Sequence, residues 1–443
     1  MQTVALGYRR SLGVVAVLVA TLALHTLVRT PAQGAATVQS GRIGGSDRYE
    51  TARLVAEQAF ASGAPFAVLA RGDAFPDALA GSYLAGAAAA GGGKRGPVLL
   101  TTGDHLSPSA STAINNLHIG GVLVLGGVSA ISDDVLVQLD TMKVQHKRIG
   151  GATRYDTAKA VAEALGSDAV GKLDGDRTAI VATGANFADA LSSGPISFVD
   201  GFPTILTSPG SLAPQASQAL RDLHIVHVLI VGGPAAVSTA VEAEIKALGI
   251  TKIDRFAGRD RQDTAQQIAS FELAKLGFGA THVNLARGDD FPDGLAGGPH
   301  AGMDSHASGA PILLTDTPTD LGSAARAYLA SHDAAITSVD GLGGPAALSQ
   351  SVLDEATGIA TCQSMAMTSS TSSSSSSSTT STTANSASTI DGNKPCTAPT
   401  STTGGSSSTG TATSSSSTTP ATSPTTTAAL LPCPFPGTIP CNP

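Results

Sequence analysis

Tryptophan is absent from this 443-residue chain, and aromatic residues together make up only 4% of it. Large rings therefore cannot fill its core. With 42% hydrophobic residues and 50 glycines, that core must come from Ala, Val, Leu and Gly, which let helices and strands approach closely. No cysteine precedes Cys362, so no disulfide staples the body of the chain. Charge is scarce too, at 14% of residues, with a formal net charge of −8. That balance argues against a general nucleic-acid binder, and any anionic partner would need a local basic site working against the overall field. Outside the first 36 residues, no apolar run is long enough to span a bilayer.

The two ends differ from the middle. Residues 1–36 read as an export signal: Arg9 and Arg10 form the positive region, Ser11 to Leu24 the apolar stretch, and Gly34, Ala35 and Ala36 a small-residue cleavage site. The Arg9-Arg10 pair also fits a twin-arginine signal, but the rest of that motif is poor, and general secretion is the reading adopted. Residues 362–443 form a Ser/Thr-rich low-complexity tail, expected to be a disordered stalk open to O-glycosylation. The tail carries Cys362, Cys396, Cys433 and Cys441. An exported setting allows two bridges among them, and all three pairings stay open.

Between the ends, the sequence repeats itself. "RIGGSDRYETA" at 42–52 returns as "RIGGATRYDTA" at 148–158 and as "RFAGRDRQDTA" at 255–265. Each copy is followed by a Phe-x-Asp motif ("RGDAFPDALAG", "TGANFADALSS", "RGDDFPDGLAG"), then by "PVLLT", "PTILT" or "PILLT", then by "GGVSAIS", "GGPAAVS" or "GGPAALS". Four motifs in one order, three times over, mark three tandem repeats, placed at 37–145, 146–252 and 253–361. Within each, short non-alternating apolar runs such as "AVLA" and "VLVLGG" are separated by Ala-rich amphipathic segments. That pattern predicts buried parallel strands and intervening helices. The fold expected is α/β: three Rossmann-like repeats. The short junctions, Leu139 to Arg148 and Leu248 to Arg255, leave too little slack for beads on a string, so the repeats are expected to pack as a pseudo-threefold trimer.

The opening motif predicts a helix start. Asp47, Thr153 and Asp260 stand at the N-cap, with Glu50, Asp156 and Asp263 three residues on, close to a capping box. The next residue is then anomalous: Arg48, Arg154 and Arg261 fall at the first helical position, where the helix dipole disfavours a cation by about 0.3–1 kcal/mol. Two compensations are open. One is internal, from the Phe-x-Asp carboxylates Asp77, Asp189 and Asp293. The other is an external anion held by the arginine and the helix N-terminal amides. The leading arginines Arg42, Arg148 and Arg255 face the same choice. The three aspartates have no recurring His, metal ligand or nucleophile beside them, so a structural role is expected. His118 and His224 match each other, but Ala335 stands at that offset in the third repeat. The Gly-Gly motif lacks a dinucleotide or P-loop fingerprint, and Ser132, Ser238 and Ser349 read as N-caps. No cofactor is expected.

Taken as a set, these motifs resemble the cell-wall-binding repeat type 2 family of Gram-positive bacteria, over residues 40–358. The resemblance implies exported proteins whose three repeats form a pseudo-threefold trimer of Rossmann-like units. Such proteins attach to the wall non-covalently through an anionic secondary polymer. It carries polymer binding to the "ILL" positions Val98, Leu99 and Leu100, Ile205 and Leu206 with Thr204, and Ile312, Leu313 and Leu314, and to Arg48, Arg154 and Arg261; the leading arginines Arg42, Arg148 and Arg255 are taken as further polymer-binding candidates. Departures occur: Thr204 replaces an aliphatic residue, Gln262 replaces tyrosine, and Ala188 replaces proline. The expected partner is a teichoic-acid-like or acidic polysaccharide, held in grooves between repeats at the cell surface, with neither nucleic acid nor, in the mature chain, a transmembrane segment involved. The alternative reading is a wall-active hydrolase using a Phe-x-Asp carboxylate, and a third is a nucleotide or metabolite binder at the Gly-Gly loops.

Overall fold

The computed structural model describes residues 38–87, 95–186, 188–303 and 309–370, with side chains as far as 361. The expected signal at 1–36 and the tail cysteines Cys396, Cys433 and Cys441 lie outside the described residues. So does the side chain of Cys362.

Each apolar run of the sequence is a buried strand, and each Ala-rich segment a helix. Repeat 1 runs β1 (Gln39–Ile43), α1 (Arg48–Ala59), β2 (Phe66–Arg71), α2 (Pro76–Ala87), β3 (Val98–Thr101), α3 (Pro108–Asn116), β4 (Gly121–Leu125) and α4 (Asp133–Thr141). Repeat 2 runs β5 (Gln145–Ile149), α5 (Arg154–Glu163), β6 (Lys172–Leu173), β7 (Asp176–Thr183), α6 (Ala188–Leu191), α7 (Gly194–Val199), β8 (Thr204–Thr207), α8 (Pro214–Asp222), β9 (His227–Val231) and α9 (Thr239–Ala247). Repeat 3 runs β10 (Lys252–Phe256), α10 (Arg261–Lys275), β11 (His282–Arg287), α11 (Pro292–Leu295), α12 (Gly297–Gly302), β12 (Ile312–Thr315), α13 (Ser323–His332), β13 (Ser338–Leu342) and α14 (Gln350–Ser370). The last helix runs past the compositional break at 361. Ala366 and the flanking Met365 and Met367 are good helix formers, so backbone order outlasts the change in composition.

The strands make three sheets of one topology: β3-β2-β4-β5, β8-β7-β9-β10 and β12-β11-β13-β1. Pairing is parallel throughout, apart from the two-residue β6, which pairs antiparallel with the start of β7. The fourth strand of each sheet belongs to the next repeat. β5 completes the first sheet and β10 the second. β1 crosses the whole ring to complete the third. The register is the same each time: Arg148 lies opposite Val124, Arg255 opposite Ile230, and Arg42 opposite Gly341. The short junctions of the sequence are therefore strands. One hydrophobic core joins residues from all three repeats, from Ile43 to Leu342.

The Phe-x-Asp helices meet at the centre. α2 packs against α7, and α7 against α12. A small axial space is lined by Ala78, Leu79 and Ser82 of the first repeat and by the matching Ala190, Leu191, Gly194 and Gly294, Leu295, Gly298. A Cβ on Gly298 would stand 2.5 Å from the Ser82 hydroxyl and 3.0 Å from Gly194 backbone. Three helices converging on an axis leave room only for small residues there, which accounts for the poverty in aromatics.

The third repeat carries polar residues in its core. Asp340 lies 3.3 Å from His282 and 3.8 Å from His300. Burial pulls its carboxyl up, but these two imidazoles outweigh it and hold it well below the usual range. Where α7 ends, the Arg95 guanidinium lies 4.9 Å from the Phe198 ring centroid. There burial pushes the Asp200 carboxyl up to about 7, against the pull of Arg95.

Two outcomes follow from this architecture. A variant lacking residues 38–43 should lose hydrogen-exchange protection at Gly343, whose N–H donates to the Ile43 carbonyl, before the first sheet is affected. Full protection in that variant would show that the ring does not depend on β1. The second concerns pH. Folded Asp200 keeps its proton up to about pH 7, whereas the unfolded chain releases it near 3.8. The folded state then binds more protons between these values, and stability falls as pH rises from about 4 to about 7. Asp200→Asn should flatten that part of the curve in urea unfolding, and an unchanged slope would place the ionisation elsewhere.

Candidate functional site at the seams between repeats

The Gly-Gly loop after β4, β9 and β13 turns sharply, with φ of +100°, +109° and +118° at Gly126, Gly232 and Gly343. Only glycine takes that conformation without strain. The leading arginine of the borrowed strand clamps this loop. Arg148 donates to the Gly126 carbonyl at 3.0 Å and pairs with Asp133 at 2.9 Å. Arg255 donates to Gly232 and Val237 and pairs with Glu242 at 2.9 Å. Arg42 donates to Gly343 at 3.0 Å and Leu348 at 2.5 Å, 301 residues and more away in sequence. These bonds tie each leading arginine to the loop of the sheet that its strand completes.

The N-cap geometry is as expected. Asp47 and Asp260 accept the amides of Glu50 and Asp263 at 2.8 Å, and Thr153 with Asp156 forms a full capping box. Ser238 and Ser349 cap α9 and α14, while Ser132 stands at the N-cap of α4 with its hydroxyl donating to the Asp104 carbonyl at 3.3 Å instead of capping the helix. His118 and His224 sit just past their helices with φ of +54°, one of the few non-glycine types tolerated there.

The arginine at the first helical position is satisfied in the same way in each repeat. Arg48 donates to the Gly72 carbonyl at 2.9 Å, Arg261 to Gly288 at 2.7 Å, and Arg154 to Gly184. A hydrogen bond from a charged donor contributes about 1.5–3 kcal/mol, more than the dipole cost of about 0.3–1 kcal/mol. The guanidinium also reaches across the seam. Arg154 lies over Phe75 of the preceding repeat and Arg48 over Phe291, each 5.6 Å from the ring centroid. The internal partner of each arginine is thus a glycine carbonyl of its own repeat, with the Phe-x-Asp carboxyl of the neighbouring repeat facing it.

The Phe-x-Asp carboxylates close the seam from below. Asp77 bonds Thr157, Asp189 bonds Thr264, and Asp293 bonds Thr51, always into the next repeat around the ring. Thr51 and Thr157 also accept their own repeat's Gly45 and Gly151 amides. Burial pushes all three carboxyls up, while the threonine and the facing Arg154, Arg261 or Arg48 pull them down. Asp77, Asp189 and Asp293 thus each bond across a seam.

The seams are not identical. Arg71 stands beside the first with Asp73 as its ion pair, and Arg287 beside the last with Asp289. Repeat 2 has Thr183 at that position. Arg259, three-quarters exposed, belongs to repeat 3 alone and pairs with Asp263.

The "ILL" residues lie elsewhere. Leu99, Leu100, Ile205, Leu206, Leu313 and Leu314 are each at most 1% exposed, in strands paired with β2, β7 and β11. Direct contact between these side chains and a polymer does not fit such burial. They can act only by placing the loop that follows. The sequence reading overlooked Thr51, Thr157, Phe75 and Phe291, although the Thr of "TA" and the Phe of the Phe-x-Asp motif recur in every repeat and were visible as such.

If the seam threonines do this, Thr157→Val and Thr51→Val should each cost about 1–3 kcal/mol in thermal or urea unfolding, the penalty for leaving a buried carboxyl short of a partner. Variants as stable as the parent would show that Asp77 and Asp293 are satisfied without them.

The chain is similar to known proteins. The chain is 29% identical over 256 residues to N-acetylmuramoyl-L-alanine amidase LytC of Bacillus subtilis, covering 58% of this chain and 47% of that protein. It is 30% identical over 257 residues to the Amidase enhancer of the same organism, covering 58% and 32%. It thus spans less than half the length of these two relatives. Among solved structures, Cwp6 from Clostridium difficile matches with a TM-score of 0.61 at 22% identity, over 73% of this chain and 48% of that one. Cwp8 from the same organism matches with 0.61 at 24%, over 73% and 52%. At such identity they establish the fold, an α/β architecture of three tandem repeats. The profile described as Cell wall binding domain 2 matches residues 42–136, 148–242 and 255–353, each span opening on a leading arginine. With more than half its length inside three copies of that profile, the chain belongs to the cell wall binding domain 2 family.

Proposed function

We propose that this chain is an exported, non-catalytic attachment protein that holds an anionic secondary polymer of the cell wall at the seams between its repeats. Cell wall binding is the property for which its family is described, and the anionic character of the ligand is the finer reading. The observation that carries it is the threefold recurrence of one constellation: a guanidinium bonded to a glycine carbonyl, facing a buried carboxyl of the neighbouring repeat. Arg154 is exposed and Arg48 and Arg261 are half-buried, so the charge reaches solvent. Arg42, Arg148 and Arg255, with the buried "ILL" strands, support binding by fixing the loops. The repeats are taken at 37–145, 146–252 and 253–361, with residues 1–36 as the export signal and 362–443 as spacer. Several weak contacts along one polymer would add to a firm overall attachment.

The name of the first relative specifies an amidase, and the aligned part is less than half of that protein. The hydrolase alternative would require a Phe-x-Asp carboxyl as its working group, yet Asp77, Asp189 and Asp293 each bond a threonine across a seam. Purified wall should therefore release no soluble sugar or peptide fragments when incubated with the protein.

Sedimentation with isolated walls is the direct test. The protein should co-sediment with intact walls, lose most of that retention once the anionic polymer is stripped, and elute progressively as salt screens the arginines. Arg48, Arg154 and Arg261 changed together to Ala should weaken retention, with folding checked by the melting transition. Equal retention on stripped walls would remove the anionic polymer as the ligand.

A further inference from the structure

The three sheets share one register, so each has to take the right one of three similar strands. β1, β5 and β10 all carry the leading arginine as their fourth residue and differ at the third, which is Gly41, Lys147 or Asp254. Gly41 lies beside Asp340 of β13, Lys147 beside Leu123 of β4, and Asp254 beside Leu229 of β9. The third sheet is unlike the others at this place. Asp340 and His300 occupy positions held by Leu123 and Leu84 in repeat 1 and by Leu229 and Ile196 in repeat 2, all four of them at most 1% exposed. A charged residue thus stands in the core only where the chain's first strand has to dock.

Asp340 is held in place from two sides. Its Oδ2 faces Nε2 of His282 on β11 at 3.3 Å and Nε2 of His300 on α12 at 3.8 Å. Its Oδ1 is turned to β1, where a Cβ on Gly41 would stand 3.1 Å from the carboxyl carbon and inside the contact distance of Oδ1 itself. Moving the carboxyl aside would strip both imidazoles of it, and separating buried polar partners is costly. The third edge therefore has room for glycine and nothing larger. Lys147 of β5 would meet that obstruction, and Asp254 of β10 would add a like charge beside the carboxylate. Asp254 has its partner in its own sheet: it lies 2.9 Å from His227 Nε2, while Lys252 at the start of β10 pairs with Asp176. β5 and β10 follow their sheets directly in the chain, but β1 ends at Ile43 and its partner β13 begins only at Ser338. The third edge is the one that stays open longest.

We infer that the Gly41–Asp340 contact selects the strand that closes the ring: Asp340, fixed by His282 and His300, admits β1 to the third sheet and turns away β5 and β10, whether they come from the same chain or from a second copy. Acceptance of the right strand and rejection of the wrong ones together set such a choice. His282 and His300 act as positioning residues for the carboxyl. Closure of the ring precedes whatever the seams bind, so this selection does not depend on the wall-attachment reading.

Hydrogen exchange on the full chain is the test, because each sheet carries its own reporter. The Gly126, Gly232 and Gly343 amides donate to the carbonyls of Ile149, Phe256 and Ile43 on the strands that complete their sheets. Gly41→Lys and Gly41→Asp, which give β1 the residue of β5 or β10, should lower protection at Gly343 by about tenfold or more and leave Gly126 and Gly232 as in the parent. Gly41→Ala should lower it too, although alanine inside a strand is otherwise favoured over glycine. With Asp340→Leu, His282→Phe and His300→Leu made together, which restores the residues of repeat 1, Gly343 should stay protected, and adding Gly41→Ala or Gly41→Lys should then cost nothing further. Parent-like protection at Gly343 in the three single variants would overturn the selection. So would an equal loss from Gly41→Ala with and without the triple change, or a loss that spreads evenly to Gly126 and Gly232. A triple variant that leaves Gly343 unprotected even with Gly41 kept would show that the polar set attracts β1 instead of excluding the other strands, and would overturn it as well.

Discussion

Every sheet of this protein is one strand short within its own repeat. β4, β9 and β13 would each present an unpaired backbone edge, and the next repeat supplies the missing strand in an identical register. Unpaired strand edges are a liability that folds must cover. Covering them by lending a strand forward makes the ring obligatory: the loan from repeat 1 can be received only by repeat 3. The seams, the axis and the placement of the arginines all follow from that closure.

The loan also explains why two arginines recur in one motif. The first travels on the lent strand and locks the Gly-Gly loop of the sheet it completes. The second begins the helix after that strand, so it stands where two repeats meet. Its neighbours there are a glycine carbonyl from its own repeat and a Phe and an Asp from the one before. A cation at a helix start is unfavourable in isolation and becomes favourable when two repeats provide its surroundings. Two arginines six residues apart in sequence thus hold different parts of the junction, the first a loop of the sheet its strand completes and the second a glycine carbonyl of its own repeat.

The repeat pattern, the parallel α/β class, the capping residues and the membership of a wall-binding family were all legible in the sequence, because each is a local or periodic property. Asp47, Thr153 and Asp260 announced helix starts through spacing alone. The division of labour among Arg42, Arg48 and their counterparts was not legible, because the partners of Arg42 lie about 300 residues away and those of Arg48 lie in two repeats. The "ILL" residues show the converse. Their composition identified a buried strand, and burial of at most 1% leaves them only an indirect part in binding.

The sequence by itself determined three similar α/β units with an Asp- or Thr-capped helix, a Gly-Gly turn and a small-residue axial helix in each, since hydrophobic period, capping chemistry and glycine content are written residue by residue. The tertiary structure alone decided which strand completes which sheet, that Asp77, Asp189 and Asp293 bond forward into the next repeat, and that Phe75 of repeat 1 meets Phe291 of repeat 3. Those pairings depend on how three units close around a common centre, and closure is a property of the assembled ring rather than of any one repeat.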